Sequence, residues 1–493
     1  MATTQELDES QQAQEQRFNE TPYALSKMTY CGYYAIGYSY ELLTNPQRFI
    51  TQYLYNIASK EGAALAPTFA PALVRLGYAP AIFVLGPYDK KALIRLFRWG
   101  ESSDDDPAAR QPLDRVKHAV GTDTIAQFRG DKGIREHRKI KRPLNNVLDT
   151  YNETFSQFST FAENWNYDYS YQENIRYLVS NIIGKCIFGI PHIPIEDMNI
   201  LQNMSYALAY YEPKHEEFKK ASIELQELGN RILEQYGQDI IDANKYLAAQ
   251  LDNNEGLEKL FNIKAGSSIL VEGNLSNTIM IALAFIMDND EIKEKLRQEL
   301  KDFDFGINPE DAEQAKLLYS KLNTCRFLQQ VYMEALRYVS PGVMTARKTS
   351  KASEWNVHNK EGNIRHFSVP AGSYLFAPLR AMSHDKRLWK EPHQFDPSRF
   401  DSSEKLNEYS HNGSIPFLLG DRSCPAAAVF AKLVFKLAVG LVITQYDFTL
   451  KDKMNPIPSY SIHPIYEPPT AMATIELRED SKDNSAIELR GLK

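Results

Sequence analysis

Cys424 stands directly before Pro425 and an apolar stretch that reads as a helix. Proline suits the first position of a helix, because the N–H it lacks would go unpaired there and its φ is already helical. A cysteine just ahead of that position faces unpaired backbone N–H groups and the positive end of the helix dipole, and both favour the thiolate over the thiol. Such a sulfur is a good soft ligand for iron. The competing reading is a buried structural cysteine, the common fate of a lone thiol. Phe417, Gly420 and Arg422 precede the sulfur within the segment Pro416 to Pro425 (PFLLGDRSCP).

Charged and polar residues elsewhere stand at spacings that such a centre could use. Glu334 and Arg337 share one helix face, a pattern that also arises as an ordinary surface ion pair. The segment Phe395 to Phe400 (FDPSRF) carries Arg399, and Arg347 follows Pro341. The run Gly133 to Arg142 (GIREHRKIKR) is dense in positive charge, and its plain reading is a solvated helix face. An otherwise apolar helix ending near Met287 carries Glu272, Gly273, Asn274, Ser276, Asn277 and Thr278. Polar groups there serve a helix-bend hydrogen bond or a substrate contact.

In this order the segments resemble the cytochromes P-450, from about residue 78 to 450. Phe417, Gly420, Arg422 and Cys424 match the F-x-x-G-x-R-x-C signature, with a departure at Ala426, where the family usually has glycine. The resemblance implies that Cys424 binds the iron of haem b, in a loop whose amides approach the sulfur, and that Arg422 pairs with a propionate. Glu334 and Arg337 fit the family's E-x-x-R and Arg399 its F-x-P-x-R-F, which implies a structural network of the three. Arg347, His137 and Lys141 are the further propionate partners so implied, with Lys141 where arginine is usual and Arg142 beside it. Two buried propionates need paired cations, because an unpaired buried carboxylate costs several kcal/mol.

The distal helix departs from the family. Oxygen-activating members usually carry an acid and a threonine side by side, but counting back from Asp290 puts Gly273 and Asn274 at those sites. A shifted register gives the places to Ser276, Asn277 and Thr278, resembling members with asparagine there, some of which activate oxygen while others rearrange a peroxide. Glu272 is then a candidate displaced acid. Val343, Met344, Thr345 and Gly273 are the candidate substrate contacts.

These residues must be held by a scaffold. At 493 residues and 43% hydrophobic content the chain can bury a large core. We expect a mainly α protein with small β-sheets, residues 1–20 forming a flexible polar tail and 21–493 a single haem-thiolate catalytic domain. A helix is expected over 41–60, a strand from Tyr78 to Gly86, and long helices from about 170 to 300 broken near Asn253 to Gly256 and Asp288 to Asp290. Short strands follow Arg337, and helix returns at Pro425. Ala426 to Thr444 is long and apolar enough to span a bilayer, but Lys432 and Lys436, one turn apart, make it read as a buried helix with one wet stripe.

A net charge of −7 argues against nucleic-acid binding. The four cysteines, Cys31, Cys186, Cys325 and Cys424, suit neither zinc nor a disulfide frame and point to a reducing cytoplasmic setting, and the polar, acidic first twenty residues read as neither a secretory signal nor a membrane anchor, so a soluble protein is expected. The expected activity is a monooxygenase acting with dioxygen on a small hydrophobic or amphipathic molecule of secondary metabolism. Its electrons would come from a ferredoxin or flavodoxin, steered by Lys432, Lys436, Arg135, Arg138 and Lys139. The alternatives are a peroxide-using peroxygenase or hydroperoxide isomerase or dehydratase, and a non-catalytic haem sensor or carrier.

Overall fold

The computed structural model describes residues 42, 49–67, 79–98, 143–190, 194–210, 213–243, 254–305, 307–342, 344–349, 351–402, 415–418, 423–450 and 473–478. Helices dominate: α1 (Tyr55–Glu61), α2 (Lys90–Arg98), α3 (Val147–Ser159), α4 (Tyr171–Ile183), α5 (Ile195–Tyr210), α6 (Glu216–Ala243), α7 (Asn254–Met287), α8 (Asp290–Leu300), α9 (Ala312–Thr324), α10 (Arg326–Val339), α11 (Leu379–Ser383) and α12 (Phe430–Gln445). The strands are β1 (Ala63–Pro67), β2 (Ala81–Leu85), β3 (Thr345–Lys348), β4 (Ser353–His358), β5 (Ile364–Val369), β6 (Tyr374–Ala377), β7 (Tyr446–Leu450) and β8 (Ala473–Leu477). The fold is mainly α with small sheets.

Local chemistry sets the boundaries. Ser170 and Glu173 form a reciprocal capping box that starts α4. Asn289 caps α8 by accepting from the Ile292 amide, so the long helix α7 stops at Met287, within the break that the sequence marks. The described residues of the first expected helix are helical, Leu42 and then a π-turn over Phe49–Leu54 leading into α1, and the apolar run before Gly86 pairs as β2.

β1 lies antiparallel to β2, β2 parallel to β6, and β6 antiparallel to β3, so the sheet order is β1-β2-β6-β3. This register sets Arg347 opposite Leu375 and Thr345 opposite Ala377. β4–β5 and β7–β8 are separate two-stranded antiparallel sheets.

The main core gathers around α7 and α12, with α3, α9 and α10 packed against them. Two expectations for α12 are corrected. Helix does not resume at Pro425: residues 425–429 are turns, Ala427 N bonds Cys424 O at 3.3 Å and Ala431 N bonds Ala426 O at 3.0 Å, so regular helix begins at Phe430. Nor is there a wet stripe, because Lys436 is 0% exposed and its Nζ donates to Leu322 O at 3.4 Å and Asn323 Oδ1 at 3.3 Å. It therefore cannot join a surface patch that steers a donor. Among the described residues no helix is long and apolar enough to cross a membrane.

Candidate functional site

The Cys424 loop is closed by its own backbone. Cys424 N donates to Phe417 O at 2.7 Å, and Leu418 N donates to Ile415 O at 3.2 Å. Leu418 adopts φ +63°, a left-handed conformation that a branched side chain enters only under constraint. The turn directs the Ala426 and Ala427 amides at the sulfur, and both hydrogen bonds pull the thiol pKa down. Burial pushes it up by more, so the loop's dipoles alone do not favour the thiolate as the sequence led us to expect. A metal ion bound at the sulfur would supply the charge that favours the thiolate. Gly420 and Arg422, the other residues of the motif, lie outside the described residues.

The structure brings Glu334, Arg337 and Arg399 together. Glu334 and Arg337, both 0% exposed, form a two-pronged pair on α10 with Nε to Oε2 at 2.7 Å and Nη2 to Oε1 at 2.8 Å. Arg399 Nε reaches Glu334 Oε1 at 3.4 Å, while its other donors bond Lys390 O and Glu391 O. Arg337 also donates to Ser383 O at 2.8 Å and Pro392 O at 2.9 Å. One buried guanidinium thus ties α10 to α11 and to the 390s, the segment leading toward the cysteine loop. Burial raises the Glu334 pKa, and the Arg337 hydrogen bonds oppose it.

Arg347 on β3 is buried, with Nη1 donating to Ala346 O at 2.9 Å and Thr345 Oγ1 at 3.3 Å. Met344 and Thr345 are half-buried beside it, while Val343, His137 and Lys141 lie outside the described residues, as do Arg135, Arg138 and Lys139.

On α7, Asn274 and Gly273 are partly exposed, whereas Asn277 and Thr278 are buried. A methyl group added at Gly273 would meet nothing within 4 Å. The Thr278 hydroxyl donates to Asn274 O at 2.6 Å, and that of Ser276 to Glu272 O at 2.7 Å, the back-bonding that bends helices.

Glu272 departs from expectation. Its Oε1 accepts from Arg176 Nε at 2.7 Å and its Oε2 from Nη2 at 2.6 Å, in a buried pair between α4 and α7. It is therefore no free displaced acid but one half of a clamp. Sequence reasoning missed Arg176. Its only signal was a charge on the apolar stripe of α4, near Ile175 and Val179, facing a partner 96 positions away.

The chemistry of this donor set suits a haem. It offers a sulfur with two amides directed at it, a buried arginine, Arg347, on β3, and space at Gly273 on α7. Among the described residues no group of three or more His, Cys, Asp or Glu is arranged to hold a bare metal ion.

Comparison with known proteins gives the same direction. Residues 137–470 match the family profile described as Cytochrome P450. Cytochrome P450 705A5 of Arabidopsis thaliana is 26% identical over 54% of this chain and 48% of its own length. Tabersonine 6,7-epoxidase isoform 1 of Catharanthus roseus is 26% identical over 46% of this chain and 42% of its own. The chain thus spans about half the length of these curated relatives, or somewhat less. A solved structure described as retinoic acid bound cyanobacterial CYP120A1 superposes with a TM-score of 0.64 at 17% identity, covering 91% of this chain and 98% of that one.

Proposed function

Because the chain belongs to the cytochrome P450 family, we propose that it is a haem-thiolate monooxygenase, inserting one oxygen atom from dioxygen into a small hydrophobic or amphipathic molecule. The observation that carries this reading is the Cys424 loop, with two amides on its sulfur, packed on the core that contains α7. Cys424 would hold the iron of haem b through its sulfur, with Phe417 and Gly420 shaping its loop and Arg347, Arg422, His137 and Lys141 pairing the propionates. The chemistry the group supplies when bound there is activation of dioxygen, one atom passing to the substrate and the other leaving as water.

The chain's own residues position the substrate and its hydrogen-bond partners. Val343, Met344, Thr345 and Gly273 border the substrate in this reading. Asn274, Asn277 and Thr278 line its approach: with the Thr278 proton given to Asn274 O, the hydroxyl oxygen is left to accept from a water or a substrate group. Electrons come from a separate ferredoxin or flavodoxin type donor. The epoxidase among the relatives supports oxygen insertion and, as substrate class, a secondary metabolite. A reducing cytoplasmic setting suits Cys186, Cys325 and Cys424, all free thiols.

One observation favours a second reading, a peroxygenase or hydroperoxide isomerase that needs neither dioxygen nor reductase. Among the described side chains of α7 the only acid, Glu272, is held by Arg176 rather than standing free beside an alcohol. Turnover of a metabolite panel with a ferredoxin system and dioxygen, set against turnover with peroxide alone, separates the two. Product only in the first assay supports the monooxygenase, and product only in the second replaces it.

A further inference from the structure

Two ties join α4 to the back of α7, and they bracket the segment that carries Gly273, Asn274, Asn277 and Thr278. At one end Arg176 grips both oxygens of Glu272 at 2.7 and 2.6 Å. At the other the Tyr171 hydroxyl, on a fully enclosed ring, donates to Met280 O at 2.8 Å. A helix turns about 100° per residue, so Glu272 and Asn274 project to opposite sides of α7. Charge sits behind the helix, and the groups proposed to meet substrate sit in front. The Ser276 hydroxyl, bonded to Glu272 O at 2.7 Å and within 3.4 Å of its Oε1, couples the ion pair to the backbone of the same turn.

We propose that Arg176 is a positioning residue: acting through Glu272, with Tyr171 as second anchor, it sets the rotation and bend of α7 and so the placement of residues 273–278 over the ligand space. This rests on the reading that the Cys424 loop holds a haem beneath that face. A pair that served folding alone would place no demand on ligand binding across the helix. A positioning clamp does, because a helix released at the back turns its front.

The experiment compares the haem-loaded parent with Arg176→Lys, with Tyr171→Phe and with the double variant Arg176→Met/Glu272→Met. The double variant removes both charges and leaves neither unpaired, the change that folded proteins tolerate best at a buried ion pair. Imidazole is the probe, titrated by the shift of the ferric Soret band, with thermal melting and the reduced carbon-monoxide spectrum alongside. We expect the sulfur-ligated spectrum to persist in every variant. Imidazole affinity should fall about five- to tenfold in the double variant, less in Arg176→Lys and least in Tyr171→Phe. Variants that melt lower yet bind imidazole within about twofold of the parent would show a structural pair only and overturn the proposal. Should the double variant fail to fold, Arg176→Lys and Tyr171→Phe are read by the same two criteria. A parent lacking the sulfur-ligated spectrum overturns the haem reading itself, and this proposal with it.

Discussion

Lys436 lies wholly inside the core on α12, and burial pulls its pKa down from 10.5 to about 7. The nearby Lys432 adds to that fall, while Cys325 and Glu299 oppose it. At about 1.4 kcal/mol per pH unit, the difference corresponds to roughly 5 kcal/mol carried by the folded state when the ammonium is charged. Replacing Lys436 with methionine removes that cost. It also removes two long hydrogen bonds, to Leu322 O and Asn323 Oδ1, which contribute about 1 kcal/mol each. Lys436→Met is therefore expected to stabilise the holoprotein by about 3 kcal/mol at pH 6.

The sign of the pH dependence follows from the depressed pKa of a base. Below about pH 7 both the folded and the unfolded parent carry the proton and the cost is present in full. Between about 7 and 10.5 the unfolded parent holds one proton more, so parent stability rises with pH. The advantage of the methionine variant should shrink across that interval and be almost gone by about pH 9. Urea unfolding followed by tryptophan fluorescence at pH 6, 7.5 and 9 measures it. A variant less stable than the parent at pH 6, or a difference that does not change with pH, refutes the reasoning.

Glu334→Gln leaves Arg337 charged inside the protein, and a thermal melt should show a loss of about 3–5 kcal/mol, together with weaker haem retention on gel filtration. Gly440→Ala would set a methyl carbon 2.5 Å from Phe305 Cζ, a ring already packed against Phe303, and denaturant unfolding should report about 1–3 kcal/mol of destabilisation. Gly273→Ala meets no neighbour and gains helix propensity, so the ligand-free protein should melt slightly higher, by up to about 1 kcal/mol, while spectral titration shows bulky ligands binding more weakly.

What could be read in the sequence was what depends on short spacing. Cys424 with Phe417 seven residues before it, and Glu334 with Arg337 three residues on, are local patterns, and the structure closes each by local hydrogen bonds. The break at the end of α7 was equally legible, since Asn289 is a capping residue whatever surrounds it. Lys436 misled because one-turn spacing with Lys432 looks the same whether the stripe faces water or the end of α9; only tertiary packing distinguishes them. Pro425 signalled a first helical turn, but the amides beside it are aimed at Cys424 and the regular helix starts at Phe430. The Arg176 clamp was beyond reach for a simpler reason. Nothing near either partner encodes a contact between α4 and α7, and Glu272 taken alone looked like an acid available for chemistry.

The central claim is a bond between the Cys424 sulfur and haem iron, and the reduced carbon-monoxide spectrum tests it most directly. The parent should show the red-shifted Soret band of thiolate ligation, and Cys424→Ala should lose it while Cys186→Ala and Cys325→Ala keep it. A red-shifted band that survives in Cys424→Ala, or a reconstituted parent that never shows one, would contradict the account.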